Sequence, residues 1–121
     1  IFDSCFYDNK WTKDECMRSI ILDSNNHILY LQTIQCPLDI PPDLRCNFDY
    51  VFIYKEDNIE DRRKIYEHYA GMFSNFKTFC TVLNQCTENY ECLVTHNTSK
   101  SDDLEDHVFW YKALIDSKVI E

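Results

Sequence analysis

The sequence predicts a mainly α-helical, disulfide-stapled domain with three main helices and a short β-strand pair. Three observations lead there. Apolar residues recur at helical spacing between Ile59 and Leu83, two other segments open with helix-start chemistry, and seven cysteines occur without a C-x-x-C pair.

The first helix is expected over about 13–23. Thr12 and Glu15 have the spacing of a capping box, in which each side chain satisfies a backbone N–H at the helix start. Trp11 and Cys16 stand where a hydrophobic staple would, and Met17, Ile20 and Ile21 continue the period until Asp23-Ser24-Asn25-Asn26 interrupts it. Residues 27–35 fit a helix or a strand. All three prolines fall within residues 36–46, "CPLDIPPDLRC", which reads as an irregular loop bracketed by Cys36 and Cys46. The run "FDYVFIYK" (48–55) is the best strand candidate, so the strand pair is expected from 28–34 and 48–54.

Asn58 is placed to cap the second helix, expected over 59–84. Ile65, Tyr69, Met72, Phe76, Phe79 and Leu83 recur at steps of three and four. At 100° per residue that stripe keeps its phase across Gly71, the only glycine, which predicts one continuous helix about 40 Å long. Gly71, Ser74 and Thr78 then lie on the opposite side, a strip of small side chains against which another backbone could lie flat. They are the candidate binding residues. The third helix is expected over 103–118, capped by Ser101 or Asp102, with Leu104, Val108, Tyr111, Ile115 and Val119 on one face. Neither a repeat nor a linker interrupts residues 1–121, which read as a single extracellular, cysteine-rich helical domain.

Cysteine usage carries the compartment argument. Cys5, Cys16, Cys36, Cys46, Cys80, Cys86 and Cys92 lack the C-x-x-C spacing of zinc ribbons and redox sites. They read as disulfides of an oxidising compartment, with buried cytosolic thiols as the alternative. The short loop favours Cys36–Cys46, and at least one of Cys80, Cys86 and Cys92 is expected to tie back to Cys5 or Cys16. Because seven is odd, one cysteine is left over, open to an intermolecular bridge. Asn97-Thr98-Ser99 is a glycosylation sequon that agrees with a secreted glycoprotein, and the start at Ile1 reads as a processed chain.

A net charge of −9 disfavours nucleic acid, whose phosphates such a surface repels. The one basic run, Arg62-Arg63-Lys64, is hemmed in by Glu60, Asp61 and Glu67 and reads as a solvated helix face. No apolar run approaches the roughly 20 residues of a membrane span. The four histidines lack metal-ligand spacing. The acidic cluster Asp102, Asp103, Glu105 and Asp106 lacks the glycine of a calcium loop, so neither metal nor cofactor is expected. No G-x-S-x-G elbow or phosphate-cradling glycine loop points to catalysis. The expected function is therefore a non-enzymatic secreted or cell-surface binding module for another extracellular protein. A helical carrier of a small apolar ligand, its cavity lined by some of the 18 aromatic residues, is the alternative. A small secreted hydrolase comes third.

Overall fold

Asp14, not Thr12, starts the first helix. In the computed structural model, which describes residues 1–3, 9–23 and 27–114, a 3-10 turn (Asn9–Lys13) leads into α1 (Glu15–Leu22). The Asp14 carboxylate accepts the Met17 N–H at 2.9 Å. With Asp14 as the cap, Glu15 becomes the first helical residue and is too early to complete a capping box. Thr12 is instead buried, and its carbonyl accepts from Arg18 at 2.9 Å. The proline-rich loop also holds a regular turn, α2 (Pro42–Arg45). Pro42 sits at the first helical position, where the missing N–H costs nothing.

These elements belong to the first of two compact units, Ile1–Asp49 and Tyr50–Glu121. Trp11, Ile40 and Leu44 form the small core of the first unit, flanked by Met17, Ile21 and Phe48. Arg18 joins α1 to α2 by an ion pair with Asp43, and that hydrogen bond holds the Asp43 carboxyl below the usual aspartate value. Segment 27–35 contributes only β2 (Gln32–Thr33). It pairs in parallel with β1 (Phe2–Asp3), and not with the strand near residue 50.

The second unit runs β3 (Tyr50–Ile53), α3 (Ile59–Tyr69), α4 (Phe76–Cys86), β4 (Glu91–His96), a 3-10 turn (Leu104–Asp106) and β5 (Val108–Lys112). The three strands form an antiparallel sheet in the order β3-β4-β5. The mainly α, disulfide-stapled expectation is therefore wrong. Helices and an antiparallel sheet share the architecture, and none of the six described cysteines, Cys16, Cys36, Cys46, Cys80, Cys86 and Cys92, is in a disulfide. Cys5 lies outside the described residues.

The expected 59–84 helix is two helices. Asn58 caps α3 as predicted, accepting from the N–H groups of Glu60 and Asp61. The helix ends at Tyr69, and Asn75 starts α4 by accepting the Thr78 N–H at 2.8 Å. The fold-back is evident from the aromatic contacts. Tyr66 and Phe79 would be about 20 Å apart along one straight helix, yet their ring centroids lie 5.7 Å apart. The apolar stripe kept its phase because both helices turn the same side to one core. That core is Ile53, Ala70, Phe73, Phe79, Leu83 and Leu93.

The expected 103–118 helix is also overturned. Only Leu104–Asp106 is helical, as a 3-10 turn, and Val108–Lys112 is a strand, while Ile115 and Val119 lie outside the described residues. Val-Phe-Trp-Tyr is a β-branched and aromatic run, and pairing with β4 decides its period. Strand β4 was missed altogether, although Cys92-Leu93-Val94-Thr95 follows a turn at Asn89 and Tyr90, both of positive φ.

Two expectations follow from the packing. Gly71 lies between α3 and α4 with its φ outside the left-handed region, and a Cβ there would meet nothing within 4 Å. Gly71→Ala should raise stability by about 0.4–1 kcal/mol by restricting the unfolded chain, as read by urea denaturation. Phe79 is fully buried among Tyr66, Phe73 and Phe76. Phe79→Ala should cost about 3–5 kcal/mol in the same assay.

Candidate functional site

In an antiparallel sheet, residues directly opposite one another share a face. The register therefore sorts the second unit's sheet into two sides. Val51, Ile53, Leu93, Thr95 and Val108 take the side that packs on α3 and α4. Tyr50, Phe52, Cys92, Val94, His96, Phe109 and Tyr111 take the other.

That outer side is aromatic and open. Tyr50 is 53% exposed, Phe52 48%, Phe109 43% and Tyr111 52%, whereas Cys92 and Val94 on the central strand are buried among them. Phe52 and Tyr111, on opposite edge strands, meet edge to face with centroids 6.2 Å apart. Tyr50 stacks on the His96 ring at 4.4 Å and 14°. These contacts hold Tyr50, Phe52 and Tyr111 in place while leaving about half of each accessible. Large apolar side chains grouped on one face in this way mark interaction surfaces more often than scattered single residues do. On the opposite side, at the β5 edge, Glu91 accepts from the Trp110 indole N–H at 3.2 Å and from Lys112 at 3.0 Å, clamping the register of β5.

One end of this face is closed by the β4–β5 loop, residues 97–107. The His96 N–H donates to the His107 carbonyl at 2.7 Å. The His107 ring is within hydrogen-bond distance of two carbonyls, Nδ1 at 3.0 Å from that of His96 and Nε2 at 2.5 Å from that of Ser101. These bonds, helped by the nearby charges of Asp106 and Asp102, raise the His107 pKa above the ordinary histidine value.

The residues singled out from sequence are dispersed differently. Gly71 and Ser74 are exposed in the α3–α4 connection, and Thr78 lies in the first turn of α4. The Thr78 hydroxyl donates to Asn75 at 3.0 Å, so it belongs to the cap, and the flat strip that an unbroken helix would have presented does not form. Cys16, Cys36 and Cys46 are exposed in the first unit, Cys80 and Cys86 are half-buried in α4, and Cys92 is buried in β4. Burial pushes the thiols of Cys86 and Cys92 up, and Glu91 adds to the shift at Cys86. Asn97 follows β4 directly and is half-buried, while Thr98 of its sequon touches the His96 ring at 3.1 Å. Among the described residues no three His, Cys, Asp or Glu side chains are grouped as metal ligands, and no helix is long and apolar enough to cross a membrane.

The aromatic face was legible only in part. "FDYVFIYK" stands out as a strand, but the helical period through Val108 and Tyr111 hides the strand that supplies the opposite edge.

Against known proteins, no family model matches the chain, and no solved structure matches it. It is similar to uncharacterized viral proteins. One, from Acanthamoeba polyphaga mimivirus, is 41% identical over 115 residues, covering 93% of this chain and 40% of the relative. Another, from Invertebrate iridescent virus 3, is 33% identical over 128 residues, covering 93% and 49%. A third, from Frog virus 3, is 32% identical over 114 residues, covering 93% and 35%. The chain thus spans less than half the length of these relatives. Their names carry no sign of secretion or glycosylation, and the unbridged cysteines remove the argument for an oxidising compartment. The disulfide-bonded expectation is corrected accordingly.

Thiol chemistry checks that correction. Under native, non-reducing conditions Cys16, Cys36 and Cys46 should react readily with iodoacetamide and Cys92 last, with all of them labelled after unfolding without reductant. Peptide mapping by mass spectrometry reads the order. A Cys36–Cys46 bridged peptide would restore the original pairing.

Proposed function

We propose that the chain is a non-enzymatic protein-binding module whose contact surface is the outer face of β3, β4 and β5. The observation that carries this reading is the grouping of half-exposed Tyr50, Phe52, Phe109 and Tyr111 around the buried Cys92 and Val94. Aromatic side chains held by their neighbours give large contact area with little ordering cost, which is why they dominate the energetic centres of protein interfaces. The net charge of −9 turns the choice of partner away from phosphate backbones and towards a protein surface with an apolar centre and a basic rim.

Site-specific photocrosslinking tests this. With p-benzoylphenylalanine at position 52 or 111, a discrete protein adduct should form in extract of the source organism. The same probe at the exposed Glu67 of α3 should give none. The double variant Phe52→Ser/Tyr111→Ser, its folding checked by circular dichroism, should retain at most about a tenth of the partner captured by the unmodified chain, the loss of at least 1.4 kcal/mol typical of a central aromatic contact. Equal adducts at all three positions, or a nuclease-sensitive adduct at position 52, would discard the reading.

A further inference from the structure

A neutral imidazole carries one N–H, so it donates at one ring nitrogen and accepts at the other. His107 does not fit that description. Nδ1 faces the carbonyl of His96 at 3.0 Å and Nε2 faces the carbonyl of Ser101 at 2.5 Å, and a carbonyl oxygen only accepts. Both contacts are hydrogen bonds only when both nitrogens carry protons. In the neutral ring one of them sets a nitrogen lone pair against a carbonyl lone pair.

The surroundings are built around the same form. His96 ends β4 and Ser101 lies within the loop, so the ring of His107, at the far end of the loop, ties that end back to both. The loop's own bonds lead back to the ring: Asp103 N–H to Ser101 Oγ at 3.1 Å, Asp106 N–H to the Asp103 carbonyl at 3.1 Å, and His107 N–H to the Leu104 carbonyl at 3.0 Å. The charged groups acting on His107 are the carboxylates of Asp106 and Asp102, both of which favour the cation, and β4 presents the His96 carbonyl. The His96 ring in turn stacks on Tyr50 and touches Thr98.

We infer that His107 is a proton-held clasp, closing the β4–β5 loop as the imidazolium and releasing the Ser101 side of the loop when it deprotonates. The clasp stands independently of what binds the aromatic face, although its release frees the loop next to His96 and Tyr50. The direction in pH follows from which form is bound. A group whose pKa is raised on folding contributes stability in full below its unfolded value, about 6.5 for histidine, and loses it as pH rises through the folded value. The loop is therefore closed in mild acid and opens towards alkaline pH.

The experiment is hydrogen exchange on the intact chain, paired with an NMR titration of the histidine ring protons. His107 should titrate above about 6.5. After correction for base-catalysed intrinsic exchange, protection of the Asp103, Asp106 and His107 amides should fall roughly tenfold or more between the two ends of that titration, while protection within α4 stays constant. His107→Gln supplies one donating amide without the charge, and should show low loop protection at both ends with no pH dependence. A His107 titration at or below about 6.5 would overturn the inference. Loop protection that is flat across pH in the unmodified chain would overturn it too, even if the variant does not fold.

Discussion

The fully buried Phe79, Leu83 and Leu93 bring α4 against the central strand of the sheet, and the rest of the second unit is arranged around that contact. Helix α3 joins the same core through Tyr66, which meets both Phe76 and Phe79, and through Ala70 at its end. The junction is closed by a polar bond as well as by packing. Thr95 is fully buried on β4, and its hydroxyl donates to the carbonyl of Tyr69 at 3.3 Å. A carbonyl in the last turn of a helix has no partner within the helix, and this bond ties it to the central strand. The chain therefore has to turn back within residues 70–75, and this requirement overrides the helical period running through them.

Once the helices occupy one side of the sheet, the alternation of strands decides what the other side shows. Ile53 points inward, so Phe52 points out. Leu93 and Thr95 point inward, so Cys92 and Val94 lie beneath the aromatic rings of the edge strands. A shift of β5 by one residue would exchange Phe109 and Tyr111 for Val108 and Trp110 on the outer side. The bonds from Trp110 and Lys112 to Glu91 oppose that shift. The same register sets His107 beside β4, where one ring reaches two carbonyls. The β4–β5 pairing thus sets both one edge of the aromatic face and the position of His107.

Local signals were legible wherever a few adjacent residues settle the matter. Asn58 is a helix cap in sequence and in structure, because its side chain needs only the next two or three backbone amides. The strand character of Tyr50–Ile53 was equally plain from its aromatic and β-branched side chains. The two misplaced helices share one physical cause. Residues 65–83 and 104–119 carry apolar side chains at helical steps, but such steps are also what two helices against one core, or a turn followed by a strand, leave behind. The cysteine count misled for a related reason, since a small apolar thiol serves a core as well as a bridge does.

The sequence by itself determined the acidic charge, the Asn58 cap of α3 and the absence of proline from β3, β4 and β5, because these depend on residue chemistry and near neighbours alone. Only the tertiary structure decided that α3 and α4 separate, that Val108–Lys112 pairs as a strand, and which aromatics face outward. Those outcomes rest on contacts between residues far apart in the chain, such as Phe52 with Tyr111. The energy of such a contact exists only once the intervening chain has closed, and local pattern carries no record of it.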